Sequence, residues 1–342
     1  MEAGKRIVVT GATGNVGTSV VAALADDPRV ASVVGLARRR PDWAPPRTTW
    51  LAADVEKDGD RTITAHFEGA DAVIHLAWAF QPTHDPLATW RTNVLGSLRV
   101  FRAVAAAGVP ALVYASSVGA YSPGPKDHPV DESWPTHGWP EAAYCREKAY
   151  LERVLDAYEP RHPNVRVVRL RTAFLFKETS ASEQRRIFAG RLVPGALADP
   201  RFIPVVPGFD GLAFQAVHTD DAADAYRLAA LGDHVHGAFN VAADPVVGPR
   251  ELAELLDARV VRVPRGAVRA AVAAGWALRL APSSPYLLDA FLRLPVMDWS
   301  RARTELGWQP RRTGLEALEV FLRGMRQGAG MPTPPLAGRK IA

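Results

Sequence analysis

Short apolar runs alternate with amphipathic stretches along the first part of the chain. The runs are rich in β-branched residues and nearly uninterrupted, as in parallel strands that are buried on both faces. They predict strands at 6–11, 30–38, 48–55, 71–78, 111–117 and 165–171, and the stretches between them predict helices at 15–27, 86–108 and 141–159. This alternation predicts an α/β fold with a doubly wound parallel sheet, because the crossovers between parallel strands are right-handed.

The pattern becomes less regular after the sixth predicted strand. Residues 174–216 are rich in proline, glycine, phenylalanine and arginine, and the segments that follow are mainly helical in pattern. We therefore divide the chain into a sheet domain at 1–171 and a smaller mixed, mainly helical region at 172–327, some segments of which return to the sheet. The stretch 328–342 is rich in glycine and proline, and we expect it to be disordered.

Composition narrows the range of partners. The 342 residues are 48% hydrophobic and 23% charged, with a formal net charge of +5 and a pI of about 9.5. The arginines are scattered apart from the run at 38–40, and no zinc-finger spacing or basic helix with interleaved aromatics occurs. We expect no nucleic-acid partner, and we expect the local basic run to bind an anionic small ligand.

Cysteine usage and apolar patterning predict a cytoplasmic protein without a membrane segment. Cys145 is the single cysteine, so no intrachain disulfide is possible, as is typical of a reducing compartment. The chain starts directly in a strand pattern, with no apolar signal segment before it. The most apolar stretch, 266–282, is too short and too charged to span a bilayer. The nine histidines have no metal-ligand spacing, so we expect no metal.

A glycine-rich turn joins the first predicted strand to the first predicted helix. It reads TGATGNVG and contains Gly11, Gly14, Asn15, Val16 and Gly17. Glycines let the chain turn tightly and let a pyrophosphate approach the backbone, and the unpaired N–H groups at a helix N-terminus attract that anion. Because the motif lies inside a βαβ unit, it predicts a Rossmann-type dinucleotide site.

Tyr144 and Lys148 are four residues apart on a predicted helix, so the phenol and the ammonium share one face. This spacing alone is a weak signal. Two adjacent serines, Ser116 and Ser117, end the fifth predicted strand, and the strand period points them to opposite sides.

In this order along the chain, these motifs resemble the extended short-chain dehydrogenase/reductase family, in its NAD(P)-dependent epimerase/dehydratase-like branch. The resemblance covers residues 5–327 and implies a Rossmann domain followed by a substrate-binding region. It rests also on AADV, HLAW, NVLGS, YASSVGAYS, VHTDDAADA and DWSRARTELGWQP. Further cofactor-binding residues that the resemblance implies are Asp54, Val55, Leu76, Ala77 and Trp78.

The resemblance also implies roles for the reactive side chains. Tyr144 is the general acid/base in this view, and Lys148 lowers its pKa and holds the nicotinamide ribose. Aligning the segment SS-x-x-x-Y selects Ser117 as the residue that holds the reacting oxygen, with Ser116 as the alternative. Asn93 helps to organise the proton path.

The end of the second predicted strand indicates the cofactor. An NAD site usually has an acidic residue there, which binds the ribose 2′-hydroxyl, whereas arginine accommodates a 2′-phosphate. Here the run is GLARRRPDW, with no acidic residue before Asp42. Arg38 and Arg39 therefore favour NADP(H), with NAD as the alternative.

Three functions follow from the resemblance. The first is an NAD(P)-dependent oxidoreductase that moves hydride between nicotinamide and a carbonyl or alcohol carbon. The alternative is a nucleotide-sugar epimerase or dehydratase with tightly bound NAD(P), and the third is a cofactor-binding regulatory protein without turnover. The family's helices at 86–108 and around Tyr144 imply a homodimer.

The sequence gives little information on the substrate. The segment after the sixth strand lacks the Asn and Pro that are usual in nucleotide-sugar enzymes of this branch. Phenylalanines in 174–214 favour an apolar or aromatic small molecule. The arginines that could still hold a diphosphate are Arg171, Arg185, Arg186 and Arg191.

Overall fold

A computed structural model describes residues 4–81, 83–190, 194 and 199–338. The strands in these residues are β1 Lys5–Thr10, β2 Val30–Ala37, β3 Thr48–Ala52, β4 Ala72–His75, β5 Ala111–Ser117, β6 Pro129–Val130, β7 Arg166–Thr172, β8 Phe174–Phe176, β9 Val205–Gly208, β10 Phe214–His218, β11 Gly237–Val241, β12 Ala243–Val247, β13 Arg259–Arg262 and β14 Val296–Met297. The α-helices are α1 Asn15–Asp26, α2 Asp60–Phe67, α3 Pro86–Trp90, α4 Gly96–Ala106, α5 Ala143–Arg161, α6 Ala181–Gln184, α7 Thr219–Leu231, α8 Pro249–Leu256, α9 Arg265–Ala277, α10 Pro285–Phe291, α11 Ser300–Thr304 and α12 Gly314–Gln327.

Seven strands form one parallel sheet in the order β11-β7-β5-β4-β1-β2-β3. The chain leaves β1 toward β2 on one side and later crosses to β4 on the other. The loops that follow β1 and β4 therefore diverge, and they leave a crevice at the carboxyl edge of the sheet. The predicted doubly wound fold is confirmed.

Helices cover both faces of the sheet, which explains its nearly continuous apolar strands. In β1, Ile7 and Val9 pack on the side of α1 and α7, whereas Val8 packs on the side of α2, α4 and α5. All three side chains are fully buried. A strand that is buried on both faces has no polar alternation, as the sequence pattern indicated.

Several predicted elements differ from the observed ones at the carboxyl edge. β3 ends at Ala52 and β4 at His75, so the residues that follow them are loops facing the crevice. The predicted helix at 86–108 contains a π-helical segment, Arg91–Leu95, between α3 and α4. π-Helical segments are rare, and they occur often at functional sites. The periodicity of the sequence does not reveal them.

The region after β7 contributes to the main sheet and also forms smaller layers. β11 adds the seventh strand beside β7, so part of this region returns to the sheet. β8, β10 and β12 form a second sheet, on which α12 packs through Leu318. Within the described residues, no helix has both the length and the apolar character that crossing a bilayer requires.

The expected disorder at 328–342 is wrong for residues 328–338. α12 ends at Gln327 and is capped by Gly328, whose φ of 64° is left-handed. The chain then turns back toward the glycine-rich turn, which Thr333 contacts. Leu336 is fully buried, and its apolar contacts offset the entropy cost of ordering this segment. Local composition cannot reveal such a distant anchor. Residues 339–342 lie outside the described residues.

A buried ion cluster joins β5, α5 and β7. Glu152 accepts hydrogen bonds from Arg171 Nε at 3.0 Å, from Arg169 Nη1 at 3.0 Å and from Ser116 Oγ at 2.5 Å. Burial alone raises the pKa of Glu152, but the arginines outweigh it and lower the pKa to about 2. Arg171 is thus engaged inside the fold, and the expectation that it could hold a diphosphate is wrong.

We predict that Glu152→Gln destabilises the protein by about 3–5 kcal/mol at pH 7, because the buried Arg171 loses its counter-charge. The folded-state pKa of Glu152 is below its unfolded value. The stability that its carboxylate contributes to the wild type is therefore complete above about pH 4.5, and it decreases as the pH falls toward 2. Urea unfolding at several pH values measures this difference. Glu319→Gln, at an exposed position on α12, is the control. An equal loss in both variants would contradict the prediction.

Candidate active site

The carboxyl ends of β1, β2, β4 and β5 open into one cleft with a volume of about 820 Å³. The structure brings all but one of the sequence-predicted site residues to its walls. They are Gly11, Gly14, Asn15, Val16, Gly17, Arg38, Arg39, Asp54, Val55, Leu76, Ala77, Trp78, Ser117, Tyr144 and Lys148. The exception is Asn93, which lies behind the wall.

The glycine-rich turn has the shape of a cradle for an anion. A Cβ on Gly11 would lie 2.7 Å from the backbone nitrogen of Ala77, and one on Gly17 would clash with Gly11 O. Gly11 also has a φ of +65°. At Gly14, by contrast, a Cβ would meet only Gly11 O, at 3.5 Å, so this residue leaves open space in front of the N-terminus of α1. These features fit a dinucleotide pyrophosphate.

The loops after β2 and β3 line the part of the cleft where the resemblance predicts the adenosine. Arg38 and Arg39 follow β2 and are exposed at the cleft wall. Asp54 Oδ1 accepts a hydrogen bond from Glu56 N at 3.0 Å, so this carboxylate orders its own turn while it lines the cleft.

Lys148 is buried beside an aromatic ring. Its Nζ donates a hydrogen bond to Ala115 O at 2.6 Å and lies 3.4 Å from the centroid of the Trp78 ring. Burial lowers the pKa of Lys148 to about 7, although Glu147 and Glu152 act in the opposite direction. The amine can therefore change its charge near neutral pH.

Tyr144 lies between two aromatic side chains of the loop after β4. The Phe80 ring stacks on it with centroids 4.8 Å apart and an interplanar angle of 13°, and Trp78 contacts it edge-on at 5.7 Å. Burial raises the pKa of Tyr144 strongly, and a hydrogen bond with Ser117 opposes part of that rise. The phenol is therefore held protonated in the free protein.

The two adjacent serines have different surroundings. The Ser117 hydroxyl lies beside Tyr144 and acts to lower its pKa, and its Oγ accepts from Gly119 N at 3.0 Å. Ser116 donates to Glu152 in the ion cluster on the other side of the strand. The geometry thus favours Ser117 for the site and gives Ser116 a structural contact.

Glu147 supports the site from behind the cleft wall, and no sequence motif indicated it. Its buried carboxylate accepts from Thr89 Oγ1 at 2.7 Å and from Asn93 Nδ2 at 2.7 Å. Asn93 also donates to Ala79 O and accepts from Ala79 N, which holds the loop that carries Trp78 and Phe80. These contacts are those of a positioning residue, and a place for Asn93 in the proton path stays a prediction. No pattern in the sequence pairs Glu147 with a residue 54 positions earlier.

His75 lines the base of the cleft, and both of its ring nitrogens are engaged in packing contacts. Its ring nitrogens pair with Thr10 Oγ1 at 2.7 Å and with Ser97 Oγ at 2.9 Å. Burial, together with the charge of Lys148, lowers the pKa of His75 to about 3. Across the described residues, no group of three or more His, Cys, Asp or Glu side chains could hold a metal ion.

The side of the cleft beyond Tyr144 is mainly apolar. Phe188 contacts Phe80 edge-on, and Phe174 packs with Phe214 and Phe291 at centroid distances of 5.3–5.5 Å. Other lining residues on this side are Phe176, Ile187, Val272, Leu287, Leu288 and Leu294. Phenylalanines from the segment 174–214 therefore line this side of the cleft together with residues from α9 and α10, as the predicted apolar site requires.

Two further basic residues of this region lie near the cleft. Arg185 lines it, and Arg186 donates to the backbone carbonyls of Pro335 and Ala337. Arg191 lies outside the described residues.

The arrangement of the whole cleft offers a dinucleotide cradle, a proton donor with an adjacent hydroxyl, and an apolar chamber in front of them.

The chain matches the model of the NAD dependent epimerase/dehydratase family over residues 7–242. An uncharacterized protein of Mycobacterium tuberculosis (strain ATCC 25618 / H37Rv) is 27% identical over 330 residues, which are 95% of this chain and 31% of that protein. The chain thus spans about a third of the length of the first curated relatives it matches.

Two other comparisons concern proteins with stated activities. L-arabinose 1-dehydrogenase (NAD(P)(+)) of Haloferax volcanii is 38% identical over 112 residues, 33% of this chain and 41% of that protein. The solved UDP-glucose 4-epimerase of Thermus thermophilus in complex with NAD has a TM-score of 0.69 at 20% identity, covering 94% of this chain and 99% of that one. At this identity the structural likeness shows a shared fold.

We predict that Lys148 titrates near pH 7 in protein free of dinucleotide. Desolvation disfavours the ammonium, so the amine is charged below that pH and neutral above it. Heteronuclear NMR of the lysine side chains, with the signal assigned by its absence in Lys148→Met, measures the midpoint. A midpoint near 10 would contradict the burial that the structure shows.

Proposed function

The chain belongs to the NAD dependent epimerase/dehydratase family, and from this premise we propose that it is an NAD(P)-dependent oxidoreductase acting on an apolar carbonyl or alcohol substrate. The observation that carries the proposal is the position of Tyr144, with its Ser117 contact, at the junction of the dinucleotide cradle and the aromatic chamber. A reacting carbon placed there would have a proton donor on one side and apolar walls around its substituents.

Each reactive side chain has a defined task in this proposal. The nicotinamide, when bound, supplies or accepts the hydride. Tyr144 exchanges the proton with the substrate oxygen, and Ser117 holds that oxygen by its hydroxyl. Lys148 lies 5.9 Å from the Tyr144 ring centroid, where a charge on the amine favours the phenolate. Trp78, Phe80 and the Asn93–Glu147 pair keep these groups in place.

Burial of the phenol supports the reducing direction. Reduction of a carbonyl requires a protonated tyrosine, and the raised pKa of Tyr144 supplies that state at neutral pH. Oxidation requires the phenolate, which the free protein disfavours. The proposal is therefore a reductase of small carbonyl compounds with aromatic or branched aliphatic substituents.

A nucleotide-sugar epimerase or dehydratase is the second candidate. It is supported by the fold shared with a UDP-glucose 4-epimerase in complex with NAD, and Arg185 at the cleft wall could meet a diphosphate. The partial match to an NAD(P)(+)-linked L-arabinose dehydrogenase supports the first candidate. We prefer the first candidate because the wall of the cleft beyond Tyr144 is mainly apolar.

The homodimer is also a proposal. Leu87 is 67% exposed, Leu95 45% and Tyr150 42%. These apolar side chains lie on α3, the π-helical segment and α5, the helices through which the resemblance implies dimerisation. Burial of their surface between two copies would be favourable.

We predict that Tyr144→Phe lowers turnover by at least about a hundredfold and leaves dinucleotide affinity within about threefold, because only the proton donor is lost. The assay follows NADPH oxidation with a panel of aromatic and aliphatic aldehydes and ketones. UDP-glucose, with product analysis for epimers, tests the second candidate. A variant as active as the wild type would contradict the catalytic role.

The adjacent serines provide a matched pair for the same assay. Ser117→Ala should lower kcat by about a hundredfold. Ser116→Ala should reduce the stability by about 1–3 kcal/mol while kcat stays within about twofold. Reversed effects would mean that the alternative serine holds the substrate oxygen.

We predict that wild-type protein prefers NADPH to NADH and that Arg38→Ala weakens NADPH binding by about tenfold or more, since a charge-assisted contact to the 2′-phosphate is lost. NADH affinity should not change. Arg40→Ala, at an exposed neighbour outside the cleft wall, is the control. Nicotinamide fluorescence gives both dissociation constants. A preference for NADH, or NAD(H) that co-purifies, would move the second candidate to first place.

A further inference from the structure

We propose that the C-terminal strap, residues 331–338, is part of the dinucleotide site: it fixes the glycine-rich turn from outside and slows release of the bound cofactor. The inference rests on the proposed function, because it needs a dinucleotide in the cradle. It assigns binding residues to a segment whose composition alone predicts disorder.

The strap holds the glycine-rich turn directly. Thr333 Oγ1 donates a hydrogen bond to Thr13 O at 2.9 Å, and the two residues are 2% and 6% exposed. Thr13 lies between Gly11 and Gly14, the residues that shape the cradle. A carbonyl fixed from behind restrains the peptide groups of the turn, and Gly14 N, in the same peptide as this carbonyl, donates to Gly11 O at 3.2 Å.

The strap is itself tightly folded. Met331 N donates to Leu336 O at 3.0 Å, and Thr333 N donates to Met331 O at 2.7 Å. Leu336 is fully buried and anchors the turn. A Cβ on Gly338 would lie 2.8 Å from Gly328 O, so the end of the strap packs against the end of α12. Flanking prolines reduce the entropy that this ordering costs.

Arg186 ties the strap to the substrate side of the cleft. Its guanidinium donates to Pro335 O at 2.8 Å and to Ala337 O at 3.0 Å. Arg186 belongs to the π-helical segment Arg185–Ala189, whose Ile187 and Phe188 line the apolar chamber. The strap therefore spans from the cofactor cradle to the substrate wall.

Pro334 and Pro335 line the same cleft as the cradle. A dinucleotide bound there would have the strap over one side of its pyrophosphate, and its departure would require the strap to move. Because the strap is ordered by its own contacts, the turn is also preorganised before binding. Both effects slow dissociation, which suits an enzyme that keeps its cofactor through many turnovers.

The test measures NADPH dissociation by displacement with excess unlabelled NADP, followed by nicotinamide fluorescence. Thr333→Val removes the hydroxyl at constant shape and should raise the dissociation rate about fivefold. Thr333→Ser keeps the donor and should match the wild type. Unfolding temperatures verify that each variant is folded.

A second measurement locates the effect. ADP-ribose, which carries the pyrophosphate, should lose affinity in Thr333→Val by the same factor as NADPH, whereas adenosine should not. Equal dissociation rates in wild type, Thr333→Val and Thr333→Ser would overturn the strap proposal and leave the proposed function intact. Failure of the wild type to bind any nicotinamide dinucleotide would instead overturn the proposed function.

Discussion

Close backbone packing at the switch point of the sheet is the constraint on which the site depends. Gly11 approaches the backbone of Ala77 so closely that a Cβ would lie 2.7 Å from Ala77 N. This contact joins the glycine-rich turn after β1 to the loop after β4. Trp78 and Phe80 follow in that loop and contact Lys148 and Tyr144. The anion cradle and the reactive pair are therefore parts of one rigid unit.

Low polarity around that unit determines the charge states of its ionisable groups. Burial raises the pKa of Tyr144 and lowers the pKa of Lys148 to about 7. Neither charged form is favoured in the free protein, so a charge brought by a bound ligand would act at short range in a weakly screening environment. Glu147 is also buried, and two hydrogen bonds keep it turned toward Asn93 and Thr89.

Family membership and substrate choice rest on different parts of the molecule. The parallel sheet with its glycine-rich turn carries the family relation, and a shared fold accommodates many substrates. The chamber is built from the less regular C-terminal region, where Phe174, Phe214 and Phe291 pack together. The strap adds a further contact between this region and the glycine-rich turn, so the turn and the apolar chamber are physically linked.

The local pattern along the chain was enough to predict the doubly wound sheet, the glycine-rich turn and the pairing of Tyr144 with Lys148 on one helix. These depend on local periodicity and on short spacings, which a single chain segment contains. Parallel strands end on the same side, so the cofactor-binding residues predicted after β1, β2, β3 and β4 all lie at one edge of the sheet.

The tertiary structure gave the two adjacent serines their different surroundings, since Ser117 lies beside Tyr144 and Ser116 donates to Glu152. It alone paired Asn93 with Glu147 and Thr333 with Thr13, residues 54 and 320 positions apart. Such contacts depend on how separate elements pack, and no local pattern encodes them.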